Sequence, residues 1–273
     1  LSSTGHLILT DAIWPLQQSD AFKEMFEVVI QLGAILAVVV LYWSKLWPFH
    51  RKRIPQRSWF AQQSTNGFVG GLQRFGDRYC YMDKIVMWLK IAVSCLPAML
   101  IGLPLNDWLD KHFYNPTVVA LMLLLYGVGF LFVEWYNRSH KPRVNSIAAL
   151  RWSDALLIGV FQVLALIPGT SRSGATILGG ILIGASREVA AEYTFFLAVP
   201  VMFGASLLKI VKFGAISGTE LGVLLVGMAV AFVVSILAIR FLMGYIRKHD
   251  FTAFGWYRIG LGLLVLLYFY VIR

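Results

Sequence analysis

The chain has 273 residues, of which 58% are hydrophobic and 14% are charged, and its mean hydropathy is +0.71. A soluble domain has no means of burying so much apolar surface, so the composition excludes an ordinary globular protein and predicts an all-α integral membrane protein. The net charge of +10 does not indicate nucleic acid as a partner, because membrane proteins place basic residues in cytoplasmic loops beside anionic lipid. The two cysteines, Cys80 and Cys95, predict neither a disulfide framework nor a cysteine metal site.

Six apolar runs are long enough to cross a bilayer, which requires about 20 helical residues. They are 26–44, 85–104, 117–136, 190–211, 221–246 and 255–272. Two shorter apolar pieces, 155–167 and 175–185, flank the helix breaker Pro168-Gly169. Short apolar pieces interrupted by Pro and Gly predict a re-entrant helical hairpin. The piece 7–16 resembles the second arm of another such hairpin.

The basic residues predict the orientation of these segments. The loops 45–84, 137–153 and 247–254 are rich in Lys and Arg and are therefore expected to be cytoplasmic, whereas the acidic loop 105–116 is expected outside. Tracing the six spans with these loops fixed places the C-terminus outside. The hairpin around Pro168 then enters from the cytoplasm, and the first hairpin enters from the opposite face.

An internal repeat relates two hydroxyl-rich stretches. Ser3 precedes Phe26, which begins one span, by nearly the same number of residues as Ser171 precedes Tyr193 in a later span. Three predicted spans separate the copies, and an odd number inverts the second copy. The pattern therefore predicts an inverted-topology repeat whose two hairpin tips meet near the middle of the membrane.

The repeat defines the expected organisation of the chain. Residues 1–273 form one membrane domain, with pseudo-repeats at about 1–136 and 152–273. The second copy has an arm, 155–167, ahead of its motif, and the first copy has no counterpart of it. We therefore expect a re-entrant arm to precede Leu1.

The stretch 168–176, PGTSRSGAT, places four hydroxyls, two glycines and one arginine between apolar segments. A helix N-terminus offers free N–H groups and partial positive charge to a phosphate, glycine allows close approach, and arginine supplies a two-pronged donor. Small and hydroxyl residues alone could serve helix packing in lipid, but a charge at membrane depth points to function. We predict Arg172 as an anion ligand in a site lined by Ser171, Ser173, Gly174 and Thr176.

The stretch at the start of the chain, SSTGH, is the expected counterpart of this site. Ser2 and Thr4 add hydroxyl donors for substrate, and Ser3 is a candidate nucleophile. A single histidine is often structural, but His6 beside serines and opposite an arginine site is a candidate general acid or base.

Other polar residues in or beside the spans are assigned structural roles. We expect Arg187 and Glu192 to cap a helix or form ion pairs near a cytoplasmic helix start. Tyr257-Arg258 is expected to be an interfacial anchor, with Arg258 as a second phosphate ligand in the alternative.

Four stretches, 1–6 (LSSTGH), 26–33 (FEVVIQLG), 168–176 (PGTSRSGAT) and 184–187 (GASR), resemble the bacitracin-resistance family of undecaprenyl-diphosphate phosphatases. The resemblance runs in order along nearly the whole chain. It implies an enzyme of the bacterial inner membrane, open to the outer face, that hydrolyses the C55 polyprenyl diphosphate to the monophosphate carrier of cell-wall synthesis. It also implies a divalent cation, Mg²⁺ or Ca²⁺, as cofactor.

The resemblance assigns roles to three residues: Ser3 as nucleophile, His6 as its acid–base partner and Arg172 as diphosphate ligand. The family carries an acidic motif just before SSTGH, so the resemblance implies carboxylates upstream of Leu1 that are linked to the metal. A chain lacking that arm is expected to have little activity. The metal ligands themselves remain unknown at this point.

Two other classes of function remain open. Inverted re-entrant repeats also occur in transporters, so the alternative is a transporter or flippase for a polyprenyl phosphate or another anion. A membrane scaffold without chemistry is disfavoured by Arg172 and His6. The expected partners are the polyprenyl diphosphate and membrane lipids, with no nucleic acid; a homodimer is left open.

Overall fold

The computed structural model describes residues 3–14, 16–49, 75–76 and 79–272. In these ranges the regular structure is helical, as predicted for an all-α membrane protein. The helices are α1 Ser3–Ile13, α2 Asp20–Val29, α3 Gln31–Leu41, α4 Trp43–Leu46, α5 Met82–Phe113, α6 Pro116–Asn137, α7 Trp152–Val163, α8 Arg172–Leu182, α9 Arg187–Phe213, α10 Gly218–Ile246 and α11 Thr252–Leu267. The last helix continues into a π-helical turn, Tyr268–Ile272.

Six helical segments in the described ranges are long and apolar enough to cross a membrane. They are Asp20–Leu41, Met82–Gly102, Pro116–Asn137, Arg187–Phe213, Gly218–Ile246 and Thr252–Val271. These segments confirm the six predicted spans, with ends shifted by a few residues, and the chain is a multi-pass membrane protein. The predicted orientation in the membrane stays a prediction. It includes the C-terminus on the outer side, at Arg273, which is not among the described residues.

The predicted hairpin corresponds to α7, a short 3₁₀ segment Leu164–Leu166, and α8. Pro168-Gly169 lies in the turn, as expected. The two ends of the pair are joined, because Arg143 Nη2 donates both to Asp154 Oδ1 of α7 at 2.7 Å and to Ile183 O at the end of α8 at 3.1 Å. A helical pair that leaves and returns at one place fits a re-entrant hairpin; its depth in a bilayer and the inverted repeat stay predictions.

The helix α1 occupies the place of the predicted arm 7–16. It packs on α6 and α11, where Leu9 lies against a buried cluster formed by Val119, Leu123 and Val265. Tyr268 Oη donates to Ala12 O at 3.4 Å and links the far end of α1 to the end of the chain.

The pair α6 and α11 forms the support on which both predicted tips rest. Glycines let the two backbones approach closely: a Cβ on Gly127 would lie 2.9 Å from Gly255 O, and a Cβ on Gly255 would lie 3.0 Å from Gly127 O. Small residues at such crossings are a common device of membrane helices. Side chains on these two helices are therefore held at fixed spacing.

A buried ion pair joins three helices at the end of the bundle opposite the tips. Glu134 of α6 is 1% exposed and accepts hydrogen bonds from Arg187 Nε of α9 at 2.9 Å and from Phe251 N, just before α11, at 3.1 Å. Lys45 Nζ contacts Glu192 Oε1 at 2.6 Å in the same region. The expectation that Arg187 and Glu192 form ion pairs is thus confirmed.

Removing this pair is expected to destabilise the protein strongly. Glu134→Ala leaves the Arg187 guanidinium, 34% exposed, without its carboxylate and leaves Phe251 N without its acceptor, and a buried group left unpaired costs about 1–3 kcal/mol. The melting temperature of the purified protein in detergent measures the loss. Glu188→Ala is the matched control, since its contact with Arg247 is solvent-exposed and 3.8 Å long, and such pairs contribute about 0–1 kcal/mol. Equal shifts for the two variants would contradict the assignment.

Candidate active site

The turn between α7 and α8, here called the second tip, is built around Ser171. Ser171 has φ +68°, a left-handed conformation that is costly for a residue other than glycine. Its side chain caps α8 by accepting from Gly174 N at 3.3 Å, and its hydroxyl lies 3.2 Å from that of Ser173. Strained backbone of this kind is concentrated at functional sites.

Arg172 follows directly as the first residue of α8. Its Nη1 is buried and has no hydrogen-bond partner, and among the described residues no carboxylate pairs with it. The N-terminus of α8, with its free N–H groups and partial positive charge, faces the same turn. The second tip therefore combines a buried guanidinium donor with the end of a helix that favours an anion.

A second guanidinium, that of Arg258, reaches the same tip from α11. Arg258 is 1% exposed, and its Nη2 donates to Thr170 O at 2.8 Å. Its Cζ lies 5.7 Å from the ring centroids of both Tyr126 and Phe130. The expectation that Arg258 is an interfacial anchor is wrong, because the aromatic rings of α6 and the second tip enclose the side chain.

Glycine at position 174 is required by this arrangement. A Cβ on Gly174 would lie 2.6 Å from Nη1 of Arg258 and 3.3 Å from its Cζ. The guanidinium thus lies directly against the first turn of α8. The sequence predicted Gly174 as part of the site, and the structure shows which side chain occupies the space that the missing Cβ leaves.

Several buried polar atoms around this tip have no partner in the described structure. They are Thr170 Oγ1, Arg172 Nη1, Arg258 Nε, Arg258 Nη1 and both amide atoms of Gln162. Buried polar groups are nearly always hydrogen-bonded in proteins. A set of mostly donor groups left open at one turn is suited to an anion with many oxygens, such as a phosphate.

Thr176 is held inside the hairpin. Its hydroxyl donates to Arg172 O at 3.0 Å and accepts from the Thr194 hydroxyl at 2.9 Å. Both bonds support the first turn of α8, on which Arg172 stands. The roles of Ser171, Ser173 and Thr176 as substrate ligands stay predictions.

The first tip is the start of α1. His6 Nε2 and Tyr257 Oη of α11 are 2.7 Å apart, and the two ring planes are nearly parallel, with centroids 5.9 Å apart. Ser2 and the side chains of Ser3 and Thr4 lie outside the described residues, so their predicted roles stay predictions. Sequence reasoning had no signal for the partner of His6, since Tyr257 is 251 residues away along the chain.

The two tips rest on one face of α6. A Cβ on Gly5 would lie 2.9 Å from Leu123 Cδ1, and a Cβ on Gly169 would lie 2.7 Å from Val119 Cα. Residues four apart lie on one helix face, separated by about 6 Å along the axis. The glycines of the first and second tips therefore meet α6 about one helical turn apart, which places the tips side by side.

A second polar region lies at the other end of the helices. It is a cavity of about 820 Å³ whose lining includes Lys45, Lys84, Lys90 and Glu192. The 11 residues of α8, about 16 Å of helix, separate Arg172 from this end. Lys45 pairs with Glu192, and Lys84 and Lys90 donate to backbone carbonyls. The basic groups of this cavity are thus already engaged.

The described residues do not supply a ligand set for the divalent cation that the resemblance implies. Among them, no group of three or more His, Cys, Asp or Glu side chains is arranged to hold a metal ion. The open buried groups around the second tip are guanidinium, hydroxyl and amide groups, most of which are donors and suit an anion rather than a metal. The cation stays a prediction of the resemblance.

The profile of the family described as "Bacitracin resistance protein BacA" matches residues 1–264. The chain belongs to the BacA family. Similar proteins include one from Acetivibrio thermocellus, 54% identical over 100% of this chain and 92% of the relative, and one from Desulfitobacterium hafniense, 54% identical over 98% and 89%. A third, from Enterococcus faecalis, is 51% identical over 98% and 90%. Each of these three relatives is named undecaprenyl-diphosphatase.

The family match concerns both tips, because each tip contains residues of a stretch on which the resemblance was based. Residues 3–6 and 168–176, which belong to two of the stretches that carry the resemblance, lie at the two tips of this BacA family member. The structure adds α11, whose Tyr257 and Arg258 contact one tip each.

Proposed function

We propose that this chain hydrolyses undecaprenyl diphosphate to undecaprenyl phosphate and phosphate. The reaction recycles the lipid carrier of cell-wall synthesis and gives resistance to bacitracin. The observation that carries the proposal is the pair of guanidiniums at the second tip, in which three buried nitrogens, Arg172 Nη1, Arg258 Nε and Arg258 Nη1, have no partner in the described structure. A diphosphate head group offers the oxygens that such donors require, and the three relatives bear the name of this activity.

The side chains at the two tips have different roles in the proposed reaction. Arg172, Arg258 and the N–H groups at the start of α8 bind phosphate oxygens and stabilise the charge that grows on them in the transition state. His6 takes the proton of the attacking hydroxyl as a general base. The C55 tail stays in the bilayer between helices, so that only the head group enters the polar site.

In the proposed reaction the Ser3 hydroxyl attacks the terminal phosphorus. A serine O–P bond forms, the bond from this phosphorus to the bridging oxygen breaks, and undecaprenyl phosphate leaves with the bridging oxygen. His6 holds the serine proton and delivers it to the leaving group. Water then attacks the phosphoserine with His6 again as base, which releases phosphate and restores the serine hydroxyl. Direct attack by a water molecule activated by His6 is the alternative first step.

The setting of the site is part of the proposal. We infer that it opens to the outer face of the bacterial inner membrane, because the basic loops place the first hairpin on the outer side. The lipid substrate and the surrounding lipids are its partners. The absence of a nucleic-acid partner stays a prediction of the sequence, and a homodimer stays open.

Release of phosphate tests the proposal. Purified protein in detergent, with Mg²⁺ or Ca²⁺ added, is incubated with undecaprenyl diphosphate, and both products are measured. We expect equal amounts of phosphate and undecaprenyl phosphate, with the rate falling in the Arg172→Ala variant. Protein that releases no phosphate, although folded by its melting curve, would refute hydrolysis by this chain.

Transport of a polyprenyl phosphate or another anion is the second candidate, favoured by the cavity of about 820 Å³ at the opposite end of the helices. However, the basic groups of this cavity are already engaged in ion pairs and in hydrogen bonds to the backbone, which argues against a path for an anion through the cavity. Protein in vesicles that moves undecaprenyl phosphate between leaflets without releasing phosphate would favour this candidate.

A further inference from the structure

We propose that Tyr257 is the positioning residue of His6, and that the adjacent pair Tyr257-Arg258 sets the spacing between the two tips. The inference rests on the proposed function, since it assigns a role within that site. It replaces the sequence-based expectation that this dipeptide anchors α11 at the membrane interface.

The contact between Tyr257 and His6 is described by one hydrogen-bond distance and by the angle between the two ring planes. The hydroxyl lies 2.7 Å from Nε2, and the planes of the two rings are inclined by only 14°. A hydrogen bond to one ring nitrogen fixes the orientation of an imidazole and determines which nitrogen exchanges protons. The bond engages Nε2 with Tyr257 and thereby holds the imidazole in one orientation.

The next residue holds the other tip. Successive helix residues project about 100° apart, and Arg258 accordingly reaches Thr170 O and the first turn of α8 at Gly174. A single peptide unit of α11 therefore connects the acid–base group with the proposed phosphate ligands. Reactions of this kind depend strongly on the distance between reacting groups, because a displacement of about 1 Å costs about 10²-fold in rate.

The support under this pair is rigid. Gly255, two residues before Tyr257, is in backbone contact with Gly127 of α6, where there is no room for a Cβ. Tyr257 and Arg258 therefore lie next to the point where glycines bring the backbones of α6 and α11 into contact. The Tyr257 side chain is 46% exposed, but its hydroxyl contacts the imidazole, which an interfacial anchor would not require.

Tyr257→Phe tests the role of this hydroxyl, because it keeps the aromatic ring and removes the hydrogen bond to His6. We expect kcat for phosphate release to fall about tenfold or more, as part of the roughly 10²–10⁴-fold contribution of an acid–base group. KM should stay within about twofold and the melting temperature should not change, since neither phosphate binding nor packing is altered.

Tyr268→Phe is the matched control. It removes a tyrosine hydroxyl that also binds α1, at Ala12 O, but far from His6. We expect its kcat to equal that of the parent. If both variants lost activity equally, Tyr257 would only be fastening α1, and the positioning role would be overturned.

A double-mutant cycle decides whether Tyr257 acts through His6. In a His6→Ala background, Tyr257→Phe should cause no further loss of kcat. If the losses of kcat from the two substitutions multiply in the double variant, or if Tyr257→Phe alone keeps the full kcat, the inference is overturned. Neither result would contradict the proposed hydrolysis. If the parent protein released no phosphate at all, the proposed function would fail, and this inference with it.

Discussion

Arg172→Lys is expected to lose about 10–100-fold in phosphate release, the equivalent of the roughly 1.5–3 kcal/mol of a charged hydrogen bond, and Arg172→Ala is expected to lose more. The lysine keeps the charge but not the fork of donors that matches phosphate oxygens. Because the guanidinium binds substrate and transition state alike, kcat should fall and KM should rise. Steady-state kinetics with undecaprenyl diphosphate measure both.

Arg247→Lys is the control for this substitution. Arg247 is well exposed and 3.8 Å from Glu188, remote from the tips, so its exchange for lysine should leave the kinetics unchanged. Near-normal turnover of Arg172→Lys would contradict the role of Arg172 as a two-pronged ligand. It would leave Arg258 as the principal guanidinium of the second tip.

His6→Ala and Ser3→Ala are expected to lose turnover with little change in KM. Loss of a general base lowers kcat by about 10²–10⁴-fold, and removing the nucleophile blocks the first step. Since neither side chain is assigned to substrate binding, the substrate affinity should stay close to that of the parent. Single-turnover and steady-state measurements together separate the two quantities.

The two variants also distinguish the routes of attack. Full activity of Ser3→Ala would remove serine as the nucleophile and favour water activated by His6. Full activity of His6→Ala would contradict the acid–base role altogether, and with it the proposed purpose of the bond to Tyr257.

The helices and the second tip could be predicted from local features of the sequence. Apolar runs of about 20 residues predict spans because the bilayer fixes their length. Pro168-Gly169 between two half-length runs predicts a turn, since proline ends a helix and glycine adopts the positive φ found at Gly169. The same pattern placed Arg172 in the turn and began the second arm near Ala175, whereas the helix α8 begins at Arg172 itself.

The contribution of α11 could not be predicted in this way. The burial of Arg258 depends on how α11 crosses α6, which places Tyr126 and Phe130 around the guanidinium. One signal was present: an arginine within the predicted span 255–272 is costly in lipid and indicates function. Its position near the end of the span favoured the anchor interpretation, which the structure shows to be wrong.

The left-handed conformation of Ser171 was also beyond sequence reasoning. Glycine is the usual residue at such a φ, so a serine there gives no warning of it. The strain becomes understandable only with the fold, in which the Ser171 side chain caps α8 and the backbone turns Arg172 into the helix.

A structure with a bound diphosphate tests the central claim, that the two tips form one site. The protein is studied with a methylene-bridged, non-hydrolysable analogue of a polyprenyl diphosphate. We predict that the head group lies between the tips, with Arg172 and Arg258 about 2.7–3.2 Å from its oxygens and with Ser3 and His6 within hydrogen-bond or single-water reach of the terminal phosphorus group. A head group bound in the cavity beside Lys84 and Lys90, or held by one tip with the other beyond the reach of one water molecule, would contradict the shared site.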